Sequence, residues 1–147
     1  MKSYLFKLSL NLLLILVAGF SFAQTSPVKF EKKALSFGKV QEGEAVRLTY
    51  YFRNLGKHVL SIVPPQVDCS CTEVVIPETN IAGGARDSVV VLFNTNDKIG
   101  YQQREVMLQF TSDFMDSQSI NEKIIFKGVV KATDATKERY KDGKKNP

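Results

Sequence analysis

The run Ala45–Asn54 constrains the fold most, because Val46, Leu48, Tyr50 and Phe52 alternate without a break against Arg47, Thr49, Tyr51 and Arg53. Successive side chains of an extended strand point to opposite faces, whereas a helix would scatter this apolar set around its circumference. Period two in residues this rich in β-branched and aromatic types predicts a strand with one buried and one wet face. The pattern returns at 103–111, where Val106, Leu108 and Phe110 oppose Glu105, Met107 and Gln109, and at 122–130, where Ile124 and Phe126 oppose Ile125 and Lys127. Residues 89–93, Val-Val-Val-Leu-Phe, are apolar on both faces and predict a central strand.

Turn chemistry separates these runs. Shorter strands are expected at 28–30, 35–40, 59–63 and 72–76, divided by a turn at 41–44, by Asn54 and Gly56, and by Pro64-Pro65, which cannot donate ladder hydrogen bonds. A loop at 77–84 ends tightly on Ala82-Gly83-Gly84, and 94–100 turns again. In the polar loop 112–121, Phe114 and Met115 are placed to cover an open end of the core. No long stretch has helical periodicity, and 133–141 offers a turn or two at most. About seven short strands predict an all-β chain folded as a two-sheet antiparallel β-sandwich. There is no Trp, and two cysteines one residue apart cannot join opposing sheets, so aliphatic and Phe packing must hold the core.

The N-terminus does not belong to this pattern. Lys2 and Lys7 precede a nearly unbroken apolar run at 8–20, and Ser21-Phe22-Ala23 supplies small residues where a signal peptidase cuts. Cleavage is expected after Ala23, because the run is shorter than the ~20 apolar residues of a membrane span. The chain then divides into a signal peptide at 1–23, a sandwich domain at 24–131 and a charged flexible tail at 132–147. Export to the periplasm or beyond follows, with no transmembrane segment left after cleavage. The net charge of +5 falls to +3 without Lys2 and Lys7, and much of the rest sits in Lys137, Arg139, Lys141, Lys144 and Lys145. A surplus this small and this terminal argues against nucleic acid.

Both cysteines lie in Val67-Asp68-Cys69-Ser70-Cys71-Thr72. Thiols in an exported protein tend to oxidise, yet on an extended strand residues i and i+2 lie roughly 6.5 Å apart. A bridge between Cys69 and Cys71 therefore requires a kink at Ser70. Three states stay open: a structural or reversible pair, buried free thiols, and a redox or metal site. Two thiolates on one face suit Cu(I) as an alternative cofactor, whereas zinc wants more ligands than one histidine, His58, can complete. Otherwise no metal or cofactor is expected. None of the sequence signatures of nucleophilic, metal-assisted or phosphate-binding enzymes occurs, so no catalytic residues are assigned.

Phe52-Arg53-Asn54-Leu55-Gly56, Cys69-Ser70-Cys71-Thr72, the Gly83 loop and the late Gly100 together resemble the bacterial exported family filed as domain of unknown function 1573. The family's pattern is Phe-x-Asn-x-Gly, Cys-Gly-Cys-Thr, a Pro-Gly loop and a late Gly. The resemblance covers about 37–112 and implies an immunoglobulin-like sandwich and export, with no activity established. Two positions depart from it: Ser70 stands where Gly is usual and Ala82 where Pro is usual. Losing Gly between the cysteines narrows the backbone angles available and disfavours a tight bridge here relative to the family.

The reading is an exported, noncatalytic immunoglobulin-like module that binds another protein or a cell-surface component through a sheet face or edge. The alternative is a thiol-redox or Cu(I)-handling protein using Cys69 and Cys71. Docking of the basic tail on a membrane surface ranks third.

Overall fold

A computed structural model describes residues 26–65, 67, 69–113 and 119–145. The expected cleavage site after Ala23 and the core-covering role of Phe114 and Met115 lie outside the described residues. Among the described residues, nine strands run in the order β1 (Val28–Phe30), β2 (Ala34–Gln41), β3 (Ala45–Asn54), β4 (Leu60–Val63), β5 (Thr72–Val75), β6 (Asn80–Ile81), β7 (Arg86–Asn94), β8 (Gly100–Thr111) and β9 (Ile120–Lys131). A helix, α1 (Asp134–Lys145), follows.

The strands form two sheets, ordered β1-β3-β7-β5 and β2-β9-β8-β4-β6, and the sandwich expected from the alternation is present. Its inward rows are those of the period-two pattern: Val46, Leu48, Tyr50 and Phe52 from β3, Val106, Leu108 and Phe110 from β8, and Ile124 and Phe126 from β9 are buried. Two phenylalanine clusters fill the space between the sheets. Phe52 stands 5.2 Å from Phe30 and 5.4 Å from Phe110 between ring centres, and Phe93 stands 5.9 Å from Phe37 and 5.2 Å from Phe126. Such aromatic contacts, with aliphatic burial, replace the cross-sheet disulfide and tryptophan of antibody domains. Phe37 lies against Gly128, where a Cβ would collide with its ring.

Three details differ from the sequence expectation. The sandwich is not wholly antiparallel: β2 runs parallel to β9, with a register shift between Ser36 and Gly38. No hairpin joins these two strands; they lie far apart in the chain, so turn chemistry carried no information about their direction. The loop at 77–84 contains β6, whose Ile81 is buried and pairs with Leu60. The tail holds α1, twelve residues of helix rather than a turn or two. Its first turn explains it: Thr133 caps the helix by accepting the Thr136 N–H at Oγ1, 3.2 Å away.

Candidate functional site

The sulfur pair lies where the chain passes from one sheet to the other. After β4 the chain leaves the second sheet at Pro64-Pro65, and after Cys71 it enters β5 on the rim of the first. Cys69, Ser70 and Cys71 form a tight turn rather than a strand, which brings the cysteine Cα atoms to 5.2 Å and joins them in a disulfide. The kink at Ser70 is thus present without a glycine. Backbone bonds hold it: the Thr72 N–H donates to the Cys69 carbonyl at 3.0 Å, and the Asn94 N–H to the Cys71 carbonyl at 2.8 Å. Of the three open states, the structure shows the bridged one.

The bridge separates two clefts. Cys69 lines one with Val67, Thr72, Gln103, Arg104 and Glu105, and Cys71 lines the other with Gly43, Ala45, Glu73, Leu92 and Asn94. Bridged sulfurs offer no thiolate to Cu(I). Met107 is half-exposed on the outer face of β8 and is not among the residues that line either cleft, and Met115 lies outside the described residues. Among the described residues, no three of His, Cys, Asp and Glu gather as a metal site would require.

Directly after the bridge, β5 forms an open rim of its sheet, pairing among the described residues with β7 on one side only. The Asn94-to-Cys71 bond sets the alternation, so Glu73 and Val75 exchange hydrogen bonds with Leu92 and Val90 while Val74 turns its N–H and C=O outward. Beside this rim the outer face is apolar. Val90 points outward yet is only 4% exposed, next to Val75 at 36% and Tyr51 at 46%. Arg86 lies 4.9 Å over the Tyr51 ring and pairs with Glu31.

The remaining motif residues are elsewhere and hold the fold. Phe52 is core. Asn54, fully buried, donates its Nδ2 hydrogens to the carbonyls of His58 (2.8 Å), Ile81 (3.1 Å) and Ala82 (3.2 Å), and its Oδ1 accepts the Gly56 N–H at 2.9 Å. It ties the turn after β3 to the loop before β7. Gly83 is needed in that loop because a Cβ would strike the Lys57 backbone. Gly100 opens β8 at φ +90, a left-handed backbone that favours glycine. The structure therefore brings Cys69, Ser70, Cys71 and Thr72 together at one place and puts Asn54, Gly56 and Gly83 at the opposite end of the sandwich.

Several polar groups near the sulfur end were missed by the sequence reading. Thr95, fully buried, accepts the Gly43 N–H at 2.9 Å and donates to the Glu44 carbonyl at 2.7 Å, joining two turns. Glu42 receives Thr136 Oγ1 at 2.5 Å, Thr133 Oγ1 and N at 3.3 Å, and the Asp97 N–H at 3.2 Å. These donors, the Thr136 hydroxyl foremost, hold its carboxyl below the usual range despite partial desolvation. The Thr-x-x-Thr spacing at 133–136 was the one available signal for the helix. Nothing in a single sequence links it to Glu42, 91 residues away. Burial pushes the Tyr50 phenol strongly upward, and its hydroxyl donates to the Ile125 carbonyl at 2.8 Å.

A family model described as protein of unknown function (DUF1573) matches residues 28–130. No curated protein matches the chain in sequence. Among solved structures, it is similar to the ASH / PapD-like domain 7 of human CEP192, with TM-score 0.61 and 11% identity over 75% of this chain and 89% of that one. It is similar also to a protein of unknown function from Porphyromonas gingivalis W83, with TM-score 0.56 and 14% identity over 74% of this chain and 51% of that one. The periplasmic chaperone SfaE aligns with TM-score 0.54 and 9% identity over 72% of this chain and 59% of that one. At such identities the likeness concerns the fold, which is immunoglobulin-like and PapD-like. No helix among the described residues is long and apolar enough to cross a membrane.

Proposed function

The chain belongs to the DUF1573 family of unknown function, and we propose that it is an exported, noncatalytic module that binds another protein by strand addition at β5. The observation that carries this reading is the open rim itself. Among the described residues nothing pairs with the outward N–H and C=O of Val74, and Val75, Val90 and Tyr51 form an apolar shelf beside it. An extended segment docked there would continue the ladder and cover the shelf, with backbone bonds giving affinity and side chains giving choice of partner. By contrast, β2, also at a rim, has a register shift at Ser36/Gly38 that blunts it. Export is supported by Lys2, Lys7, the apolar run at 8–20 and Ala23. The mature chain would begin at Gln24, comprising the sandwich to 131 and the basic tail beyond it.

Val74→Pro tests the reading, since it removes the outward N–H while leaving the bonds between β5 and β7. A photo-crosslinker at Val75 should capture a discrete envelope partner, one at Met107 on the other sheet should not, and Val74→Pro should weaken that partner's binding at least tenfold. Equal capture at both positions, or unchanged binding by folded Val74→Pro, refutes strand addition. Intact mass of the exported protein tests cleavage after Ala23, and retention of residues 1–23 refutes it.

A further inference from the structure

The disulfide closes a ring of only three residues and lies, half-buried, between two clefts in the turn that leads into β5. Its two sulfurs have different surroundings. The Cys71 N–H donates to Cys69 Sγ at 3.0 Å, so a negative charge developing on Cys69 meets a donor already in place. Arg104 lines the same cleft as Cys69 from the inward side of β8. Its guanidinium is held by Gln102 Oε1 at 2.8 Å and the Gln103 carbonyl at 2.9 Å, and among the described residues no carboxylate pairs with it. Among the described residues, Glu105 is the other charged residue that lines that cleft, and it pairs with Lys123 at 3.1 Å. Among the described residues, no cation lines the Cys71 cleft and Glu73 is its one charged residue; a nearby carboxylate disfavours a thiolate.

We propose that Cys69–Cys71 is an exchange disulfide of fixed polarity, reduced by a partner protein bearing a dithiol. The partner's thiolate enters the Cys71 cleft and attacks Cys71 Sγ. The sulfur–sulfur bond breaks with its electron pair passing to Cys69 Sγ, which leaves as a thiolate stabilised by the Cys71 amide and Arg104. A mixed disulfide joins the partner to Cys71. The partner's second thiolate then attacks its own bridged sulfur and releases Cys71. Two electrons and, after protonation, two protons have moved from the dithiol to this chain. The sulfur with the lower thiol pKa is the better leaving group, which fixes Cys69 in that role. Exchange at this bridge is independent of strand addition at β5.

The test uses the oxidised full chain with reduced glutathione as probe and iodoacetamide as trap, followed by peptide mapping. Glutathione is expected on Cys71 and the alkyl group on Cys69. The reverse assignment, or a bridge untouched by excess glutathione at neutral pH, overturns the proposal. In Cys71→Ala, which keeps the residue 71 amide, Cys69 should titrate about one unit below Cys71 in Cys69→Ala by ultraviolet thiolate absorbance. Arg104→Gln should raise the Cys69 value, with circular dichroism confirming the fold. Equal values, or indifference of Cys69 to Arg104, also overturn it, and the adduct map needs no variant at all.

Discussion

Replacing Asn54 by Ala should be the most damaging single change to this fold outside the aromatic clusters. The carboxamide, itself fully buried, serves four backbone groups with two N–H hydrogens and one oxygen. With a net contribution of about 1 kcal/mol for each of three donor or acceptor equivalents, and a larger cost for partners left dry, the loss is about 3 kcal/mol or more. That is a large share of the 5–15 kcal/mol typical of a whole domain. Urea unfolding followed by tyrosine fluorescence suits a chain with five Tyr and no Trp. At a slope of about 1.5 kcal/mol per molar, the midpoint should fall by about 2 M. Asn54→Asp separates shape from donation: a carboxylate still accepts the Gly56 N–H but cannot donate to the three carbonyls. It should lose at least as much at neutral pH and regain part in mild acid. A loss below about 1 kcal/mol in Asn54→Ala, or full stability in Asn54→Asp, would refute the view that this side chain pins the two loops.

Two further outcomes follow from the sulfur end. The Glu42 carboxyl is depressed in the folded chain, so its contribution is complete above the ordinary glutamate value of about 4.3 and disappears as pH falls through the lower folded value. Acid should therefore release α1 before the sheets melt, seen as loss of helical circular dichroism with strand signal intact, and Glu42→Gln should abolish the acid-dependent step; a wild-type helical signal constant up to global unfolding contradicts this. A Cys69→Ser and Cys71→Ser double variant should fold and lose only about 1.5 kcal/mol, the chain-entropy value for so short a loop. A failure to fold would show that the bridge holds the sheets.

The sequence made the sandwich legible because its buried rows are written in period two: β3, β8 and β9 were recognisable from Val46 to Phe52, Val106 to Phe110 and Ile124 to Phe126. What it left hidden is non-local. The parallel pairing of β2 with β9 depends on contacts between residues about ninety positions apart, and β6 has only two residues to carry a pattern. The cysteine pair was visible as a feature, but strand geometry pointed away from a bridge. Only the turn at 69–71, held by bonds to Cys69 and from Asn94, explains one. Among the residues of helix α1 whose burial is described, only Thr136 is buried, so hydrophobic periodicity could not reveal it.

Amide hydrogen exchange at Val74, resolved by NMR with and without the captured partner, bears most directly on binding at the β5 rim. In the free protein the Val74 amide should exchange rapidly while Glu73 and Val75, bonded to β7, are protected. Partner binding should then slow Val74 by about 100-fold or more. A Val74 amide already protected in the free chain, or one unchanged in the complex while the outer face of β8 and β9 becomes protected, would contradict strand addition.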